Sequence, residues 1–240
     1  MTAIAAERID PPPGPKLIAP AWHTWLLVAI FAGLTVGGAL FQRHAQADAG
    51  ALQQHSNMAP LYLSLLALEW GLFLYVRKGL RLSGFSLREL VGGRWTSVRA
   101  VLTDLGIALA LWGLWMVIGL IWNRWSGPSH AASIQTLLPQ GTLETVLWIG
   151  VSVSAGICEE LTFRGYFQRQ FAALTHSRSL ALIIQAALFG IGHGYQGIEA
   201  CARIALLGLL YGVVALWRRS LRPGMMAHAW GDIISGIFGI

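Results

Sequence analysis

Three clusters of polar residues each lie within an apolar segment of this sequence: Glu159, Glu160 and Arg164; Phe189 and His193; and His228 and Asp232. Charged groups at membrane depth are costly and rare, and they usually face a protein interior or a wet cavity. Three such clusters on successive apolar helices are difficult to explain as independent features. We therefore predict that they form one buried site.

A glutamate and two histidines from three helices can activate water. Around Zn²⁺, Glu159, His193 and His228 would supply three ligands and leave a fourth position for water. Without a metal, the glutamate would act as general base on a water held by one histidine. The other histidine would then stabilise an oxyanion. The residues leave both arrangements open, so the cofactor is either zinc or none.

Helix geometry predicts different roles for the two adjacent glutamates. Neighbouring residues on a helix point about 100° apart. Glu160 and Arg164 are four apart with the acid first, which is the favoured order for an ion pair. We therefore assign this pair to structure. Glu159 faces another direction and can meet other helices, so we assign it to chemistry.

Other residues fit catalysis less well. The sequence contains no His-Glu-x-x-His motif and no Gly-x-Ser-x-Gly motif. Cys158 and Cys201 are isolated in or beside apolar segments and are interpreted as small hydrophobic residues. Glu69, within the second apolar segment, fits a functional role and a polar contact with a neighbouring helix about equally well. Five histidines in predicted loops or interfaces are interpreted as solvated: His23, His44, His55, His130 and His176.

The composition indicates what kind of protein must position these residues. The chain of 240 residues is 55% hydrophobic and 12% charged, against roughly 25% charged in soluble domains. This indicates an integral membrane protein. The net charge of +6 does not indicate nucleic acid as a partner, because the basic residues lie between apolar segments, where they set membrane topology.

Seven apolar segments predict an all-α bundle of about seven transmembrane helices. The segments are residues 25–41, 61–76, 101–122, 143–159, 180–194, 204–217 and 225–240. Residues 1–22 are predicted to be a flexible leader, and residues 23–240 the transmembrane domain, with the catalytic motifs in 142–240. Residues 164–179 are predicted to continue the fourth helix along the membrane interface.

The distribution of basic residues predicts the orientation of the bundle. The loops after the second, fourth and sixth segments are basic, which places them and the N-terminus in the cytoplasm. The membrane would then be the cytoplasmic membrane, with Glu159 and His228 near its inner side. His193 lies 13 residues after Leu180, about 20 Å into its segment. The sequence does not explain how Glu159 and His228, near the inner side of the membrane, could meet His193 at this depth.

The spacing within the clusters resembles the signatures of the CPBP intramembrane proteases, which are the type II CAAX prenyl endopeptidases and their bacterial Abi-type relatives. The resemblance covers about residues 142–240 and rests on Glu159-Glu160-x-x-x-Arg164, Phe189-x-x-x-His193 and His228-x-x-x-Asp232. It implies a helical membrane fold with the site inside a cavity. It also implies hydrolysis of a peptide bond near the C-terminus of a membrane-associated protein, prenylated or not.

The resemblance further implies a role for each motif residue. Glu159 would activate water with His193, and His228 with Asp232 would bind the scissile carbonyl oxygen. The supporting residues would be Glu160, Arg164 and Phe189. The family has been described both as metalloproteases and as glutamate-dependent proteases. Asp232 departs from the family pattern, because eukaryotic-type enzymes have Asn there, and an ionised Asp cannot donate a hydrogen bond to an oxyanion.

Two other functions could use the same buried residues. Intramembrane Glu, Asp and His also form proton relays, as in a proton-coupled transporter, although the sequence lacks the repeated halves common in transporters. A non-catalytic membrane scaffold could also retain this fold. Of the three functions, only the protease has a peptide or protein as a partner in addition to the lipid bilayer. Cleavage of a peptide would therefore distinguish the protease from the transporter and the scaffold.

Overall fold

The chain is helical throughout the parts that its structure, a computed structural model, describes. These are residues 15–47, 57–126 and 137–239, and they contain no β-strand. The helices are α1 (Ala21–Ala47), α2 (Ala59–Leu82), α3 (Leu87–Val91), α4 (Val98–Ser126), α5 (Gly141–Glu160), α6 (Gln168–Thr175), α7 (Arg178–Gly192), α8 (Ile198–Arg218) and α9 (Arg222–Phe238). Each of the seven predicted segments is a helix. Residues 1–14 of the predicted leader, His55, His130 and the side chain of His44 lie outside the described residues.

Five helical stretches are long and apolar enough to cross a membrane. They are formed by α1, α2, α4, the continuous stretch from α5 to α6, and α8. The continuous stretch, Gly141–Thr175, is 35 residues long and includes a π-helical segment, Leu161–Phe167. The shorter α7 is also apolar. These helices confirm the predicted helical membrane bundle.

Local sequence explains where several connections turn. Ser86 and Glu89 form a capping box at the start of α3, and hydrogen bonds from Ser86 lower the pKa of Glu89. The side chain of Ser177 accepts a hydrogen bond from the backbone at the start of α7. His176 and Arg219 adopt left-handed backbone conformations, with φ of 54° and 53°, where α6 and α8 end. These tight ends fold α7 back on α6, and α9 back on α8.

The segment predicted to be interfacial is largely buried inside the protein. Tyr166, Phe167 and Phe171 belong to the main hydrophobic core. The side chain of Gln170 accepts a hydrogen bond from the amide of Ile18 (2.7 Å) and donates one to the carbonyl of Ala19 (2.9 Å). The polar side chains of α6 are satisfied by protein groups and can be buried at little cost, while its position at the membrane interface stays a prediction.

His23 is also buried, so the prediction that it is solvated was wrong. Its Nδ1 lies 2.7 Å from the hydroxyl of Tyr166, and its ring lies 3.9 Å from that of Tyr75, measured between ring centroids. The side chain fills a polar niche between α1, α2 and the π-helical segment. His176, in contrast, is exposed as predicted.

Three of the loop regions meet at one end of the bundle, which we call the basic end. The amide of Leu221 donates a hydrogen bond to the carbonyl of Val91 (3.0 Å), and Arg169 donates to the carbonyl of Glu89 (3.2 Å). The contact between Ile18 and Gln170 brings the start of α1 to the same end. This agrees with the prediction that the basic loops and the N-terminus share one side. The side of the membrane that they face stays a prediction.

The packing of the helices places α5 at the centre of the motif region. It contacts α2 on one side and α9 on another, while α9 also packs against α4. In the same way, α7 packs against both α6 and α8. The three polar clusters therefore lie on α5 with its π-helical continuation, on α7 and on α9, which face a common interior.

Candidate functional site

Two glycines allow α9 to approach α5 closely. A Cβ atom added to Gly156 would lie 2.7 Å from the carbonyl oxygen of Met225, and one added to Gly224 would lie 2.9 Å from Oε2 of Glu160. Larger side chains at these positions would push the two helices apart. The small residues thus bring His228, on α9, within reach of both glutamates on α5.

Carboxylates lie beside both ring nitrogens of His228. Its Nδ1 is 3.2 Å from Oε1 of Glu160. Its Nε2 is 3.7 Å from Oε2 of Glu159 and 3.5 Å from Oδ2 of Asp232. The side chain of Glu160 is 1% exposed, whereas those of Glu159 and Asp232 are 17% and 41% exposed. Nε2 therefore faces the open side of the site.

Glu160 holds two partners at once. Arg164 donates a hydrogen bond of 2.8 Å to Oε1 of Glu160, and the same oxygen contacts Nδ1 of His228. The predicted ion pair therefore forms, and both of its side chains are buried. The contact with His228 was not predicted. It connects the pair assigned to structure directly to the histidine assigned to chemistry.

Phe189 lies at the junction of the three clusters. The guanidinium carbon of Arg164 is 4.0 Å from the centroid of the Phe189 ring, a distance typical of a cation–π contact. The same ring lies edge-on to His193 and to His228, with centroids 5.1 and 6.0 Å apart. Phe189 thus supports the buried cation and keeps the two histidine rings apart.

His193 has a defined orientation at the end of α7. Its Nδ1 lies 2.9 Å from the carbonyl oxygen of Phe189, so Nδ1 carries the proton in this contact and Nε2 is left with an acceptor lone pair. In the described part of the chain His193 joins the cluster through Phe189 and forms no ion pair with Glu159.

The continuation of α5 reconciles the depths of the predicted site residues. Glu159 precedes Arg169, which contacts Glu89 at the basic end, by 10 residues, about 15 Å of helix rise. His193 follows Arg178 by 15 residues, about 22 Å of rise from the same end of the bundle. The helix continues through the buried charges, as the sequence predicts, so Glu159 lies inside the bundle and not at its basic end.

Glu69 on α2 also belongs to the site. Its side chain is buried, and its carboxyl group lies near that of Glu159. Trp70 donates a hydrogen bond of 3.2 Å to the hydroxyl of Ser154 and so fixes α2 against α5. Glu69 therefore faces α5 beside the proposed base, and both interpretations of it stay open.

Two aromatic residues complete the surroundings and were missed by sequence reasoning. The buried Tyr211 ring lies 6.1 Å from that of His228, between centroids, and the indole N–H of Trp148 donates a hydrogen bond of 2.8 Å to the backbone carbonyl of Asp232. Aromatic residues are common in apolar helices, so no spacing signal separates these two from the others.

The described residues do not contain a group of three or more His, Cys, Asp or Glu side chains arranged to hold a metal ion. The zinc arrangement of Glu159, His193 and His228 therefore has no support in this geometry. It stays a prediction, and no step below is routed through a metal. The two cysteines, Cys158 and Cys201, are free.

Comparison with known proteins gives one match. Residues 141–234 match the family model described as Type II CAAX prenyl endopeptidase Rce1-like. No curated protein and no solved structure matches the chain. The matched residues extend from the start of α5 into α9 and include all three polar clusters.

Proposed function

Because its motif-bearing part, residues 141–234, matches the family model described as Type II CAAX prenyl endopeptidase Rce1-like, we propose that this chain is a CPBP-type intramembrane protease that hydrolyses a peptide bond by water that Glu159 activates. One observation carries the proposal. His228 is held by buried Glu160 on one nitrogen and turns its other nitrogen towards Glu159 and Asp232 at the open side. A base and a hydrogen-bond donor thus face the same space.

Glu159 is the general base in this proposal. It takes a proton from a water molecule, and the oxygen of that water attacks the carbonyl carbon of the scissile bond. Nε2 of His193, free to accept a hydrogen bond, orients the same water. When the tetrahedral intermediate collapses, the carbon–nitrogen bond breaks and Glu159 returns its proton to the leaving amine. The carboxylate and the water supply every proton that the step needs.

His228 stabilises the oxyanion that develops on the carbonyl oxygen. Only an N–H at Nε2 can donate to that oxygen, so His228 acts in its doubly protonated form. Glu160 accepts the hydrogen bond of Nδ1–H and fixes the plane of the ring, as a carboxylate does in other histidine-dependent hydrolases. Removal of one such donor typically costs 10²- to 10³-fold in rate.

Asp232 positions the imidazole in this proposal and makes no direct bond to the oxyanion. Its carboxylate lies 3.5 Å from Nε2 of His228, and an ionised Asp has no proton to donate. It therefore favours the charged imidazole and steers Nε2–H towards the open side. The substitution of Asp for Asn relative to eukaryotic-type enzymes leaves His228 as the main donor.

The substrate in this proposal is the C-terminal segment of a membrane-associated protein, with or without a prenyl group. The base lies about 15 Å of helix rise from Arg169 at the basic end, so a segment must be extended or lipid-anchored to reach it. Such a segment can enter beside Asp232, the most exposed of the acidic groups around His228.

Mass spectrometry of peptides incubated with the purified full-length protein tests the proposal. Pairs of matched peptides, prenylated and plain, should be compared with and without a strong chelator. We expect at least one peptide to be cut, and Glu159→Gln protein to leave it intact. If no peptide is cut, or if the variant cuts as fast as the wild type, a transporter or scaffold becomes the better explanation. Loss of cleavage with the chelator, restored by zinc, would support the metal alternative.

We further propose that the basic end of the bundle faces the cytoplasm. Single cysteines at Arg88 and Arg219, in protein that lacks Cys201, should resist an impermeant thiol reagent added to intact cells. A cysteine at Thr142, which is exposed at the opposite end, should react. The reverse pattern would show the opposite orientation. Of the segment 43–57 between the first two spanning helices, residues 48–56 lie outside the described residues.

A further inference from the structure

A cavity lies at the basic end, away from the proposed active site. It has a volume of about 410 Å³ and opens between the first turns of α4 and the last turn of α8. Its lining residues are Ser97, Arg99, Ala100, Thr103, Trp217 and Arg218. None of them belongs to the three polar clusters, so the proposed hydrolysis does not explain this cavity.

A buried carboxylate holds one of the two arginines in place. Nε of Arg218 donates a hydrogen bond of 2.8 Å to Oδ1 of Asp104, and the indole N–H of Trp95 donates one of 2.8 Å to Oδ2. Asp104 is 1% exposed. Both of its oxygens are thus occupied, and the guanidinium of Arg218 is fixed at the rim of the cavity with its terminal N–H groups directed elsewhere.

The cavity carries a surplus of positive charge. Asp104 neutralises one arginine, but Arg99 is exposed and has no carboxylate partner among the described residues. Arg222 adds a further charge nearby, since its guanidinium carbon lies 4.8 Å from the centroid of the Trp95 ring. An anion that entered the cavity would therefore meet uncompensated cations.

Ser97 supplies an uncharged donor beside these cations. Its Oγ accepts a hydrogen bond of 3.2 Å from the amide of Ala100, which leaves the hydroxyl proton available. Thr103 cannot serve in the same way, because its hydroxyl already donates to the carbonyl of Arg99 (2.8 Å). The fixed arginine, the free arginine and the serine together form a site for an oxyanion with several acceptor atoms, such as phosphate.

The surroundings of the cavity are apolar on the outer face of the bundle. Val98 is 74% exposed, Leu102 59% and Trp217 70%. Tryptophan at the end of a spanning helix is typical of the membrane–water interface, and basic residues mark the adjoining headgroup region. Phosphate held in this cavity would thus have acyl chains beside it.

We propose that this cavity binds the phosphate-bearing headgroup of an anionic phospholipid, with its acyl chains along Val98, Leu102 and Trp217. A basic residue near an anionic membrane surface contributes an attraction that corresponds to about fivefold in affinity. The proposal rests on the charges and shape of the cavity, and it holds whether or not the chain is a protease.

Lipid binding to the purified full-length protein in neutral detergent tests the proposal. Native mass spectrometry should detect phosphatidylglycerol bound to the wild type at concentrations where phosphatidylcholine is not retained. Arg99→Gln should weaken this binding about fivefold. Arg88→Gln, which removes the same charge from the neighbouring α3, is the matched control and should leave binding within twofold of the wild type.

A second variant addresses the fixed arginine without leaving a buried charge alone. Arg218→Gln combined with Asp104→Asn removes both members of the ion pair and should also weaken phosphatidylglycerol binding. Equal effects of Arg99→Gln and Arg88→Gln would overturn the proposal, because binding would then follow the overall charge. Retention of inorganic phosphate at the cavity with no preference for phosphatidylglycerol would overturn the lipid as the ligand.

Discussion

The double contact of Glu160 predicts that its replacement by Gln damages stability and catalysis by separate routes. In the wild type, Oε1 of Glu160 binds Arg164 at 2.8 Å and contacts Nδ1 of His228 at 3.2 Å. Gln keeps the size and one acceptor oxygen but removes the charge. Arg164, whose side chain is 0% exposed, would then be buried without a counter-charge.

The expected magnitudes follow from burial. Breaking one side of a buried ion pair costs about 3–5 kcal/mol. For a chain of this size, each 1 kcal/mol lowers the melting temperature by roughly 2–4 °C, so Glu160→Gln should melt roughly 6–20 °C lower. The weakened bond to His228 should cost a further 10- to 100-fold in turnover per folded molecule, since hydrogen bonds to charged groups contribute about 1.5–3 kcal/mol.

Arg164→Gln separates the two routes, because it breaks the same ion pair without removing a contact of His228. We expect a similar loss of melting temperature but a smaller loss of turnover per folded molecule. The double variant should be more stable than the sum of the two single losses predicts, because no lone charge remains. Melting temperature and turnover of all four proteins in one detergent would measure this. A Glu160→Gln protein that melts like the wild type, or an Arg164→Gln protein that is equally inactive, would refute the reasoning.

Substitutions at four further positions test the remaining assignments by the same two measurements. Glu159→Gln should lower turnover about 10²- to 10⁴-fold with little change in melting temperature; an active variant would exclude it as the base. Asp232→Asn should keep turnover within about tenfold, because Asn still accepts a hydrogen bond, whereas Asp232→Ala should lose about 10- to 100-fold. A greater loss of turnover in Asp232→Asn than in Asp232→Ala would contradict a positioning role. Glu69→Gln should remain active, since its amide can donate a hydrogen bond to Glu159, and Glu69→Ala should lose about tenfold in turnover; an inactive Glu69→Gln beside an active Glu69→Ala would contradict this role. Gly156→Ala should cost about 1–3 kcal/mol by forcing α9 outward and should lower turnover by displacing His228; a variant with normal stability and turnover would show that the close approach is dispensable.

Hydropathy predicted the helices well, because burial in lipid requires long apolar stretches. It did not show how deeply the end of the fourth segment is buried. The charges from Glu159 to Arg164 look like a helix end when judged by polarity, yet Glu160 and Arg164 pair inside the protein, and the helix continues for another eleven residues after Arg164, to Thr175. A one-dimensional profile contains no information about such partners.

The candidate site was predictable where spacing carries the information. The four-residue interval of Glu160 and Arg164 predicted a contact that forms, and the three clusters do face one interior. Glu69 could not be assigned, because one carboxyl on an apolar helix does not reveal which helix lies opposite. The contact of His228 with Glu160 was missed for the same reason, since it depends on how closely α9 approaches α5.

The π-helical segment determines the direction in which the side chains after it face. A turn with one extra residue rotates the downstream helix by about 100° relative to a regular α-helix. That rotation directs Gln168 to the carbonyl of Gly212 (3.1 Å) and Gln170 to the start of α1. Deletion of a single residue from 161–167 would restore regular winding and turn both amides to other faces, so the length of this segment, as well as its composition, is under structural constraint.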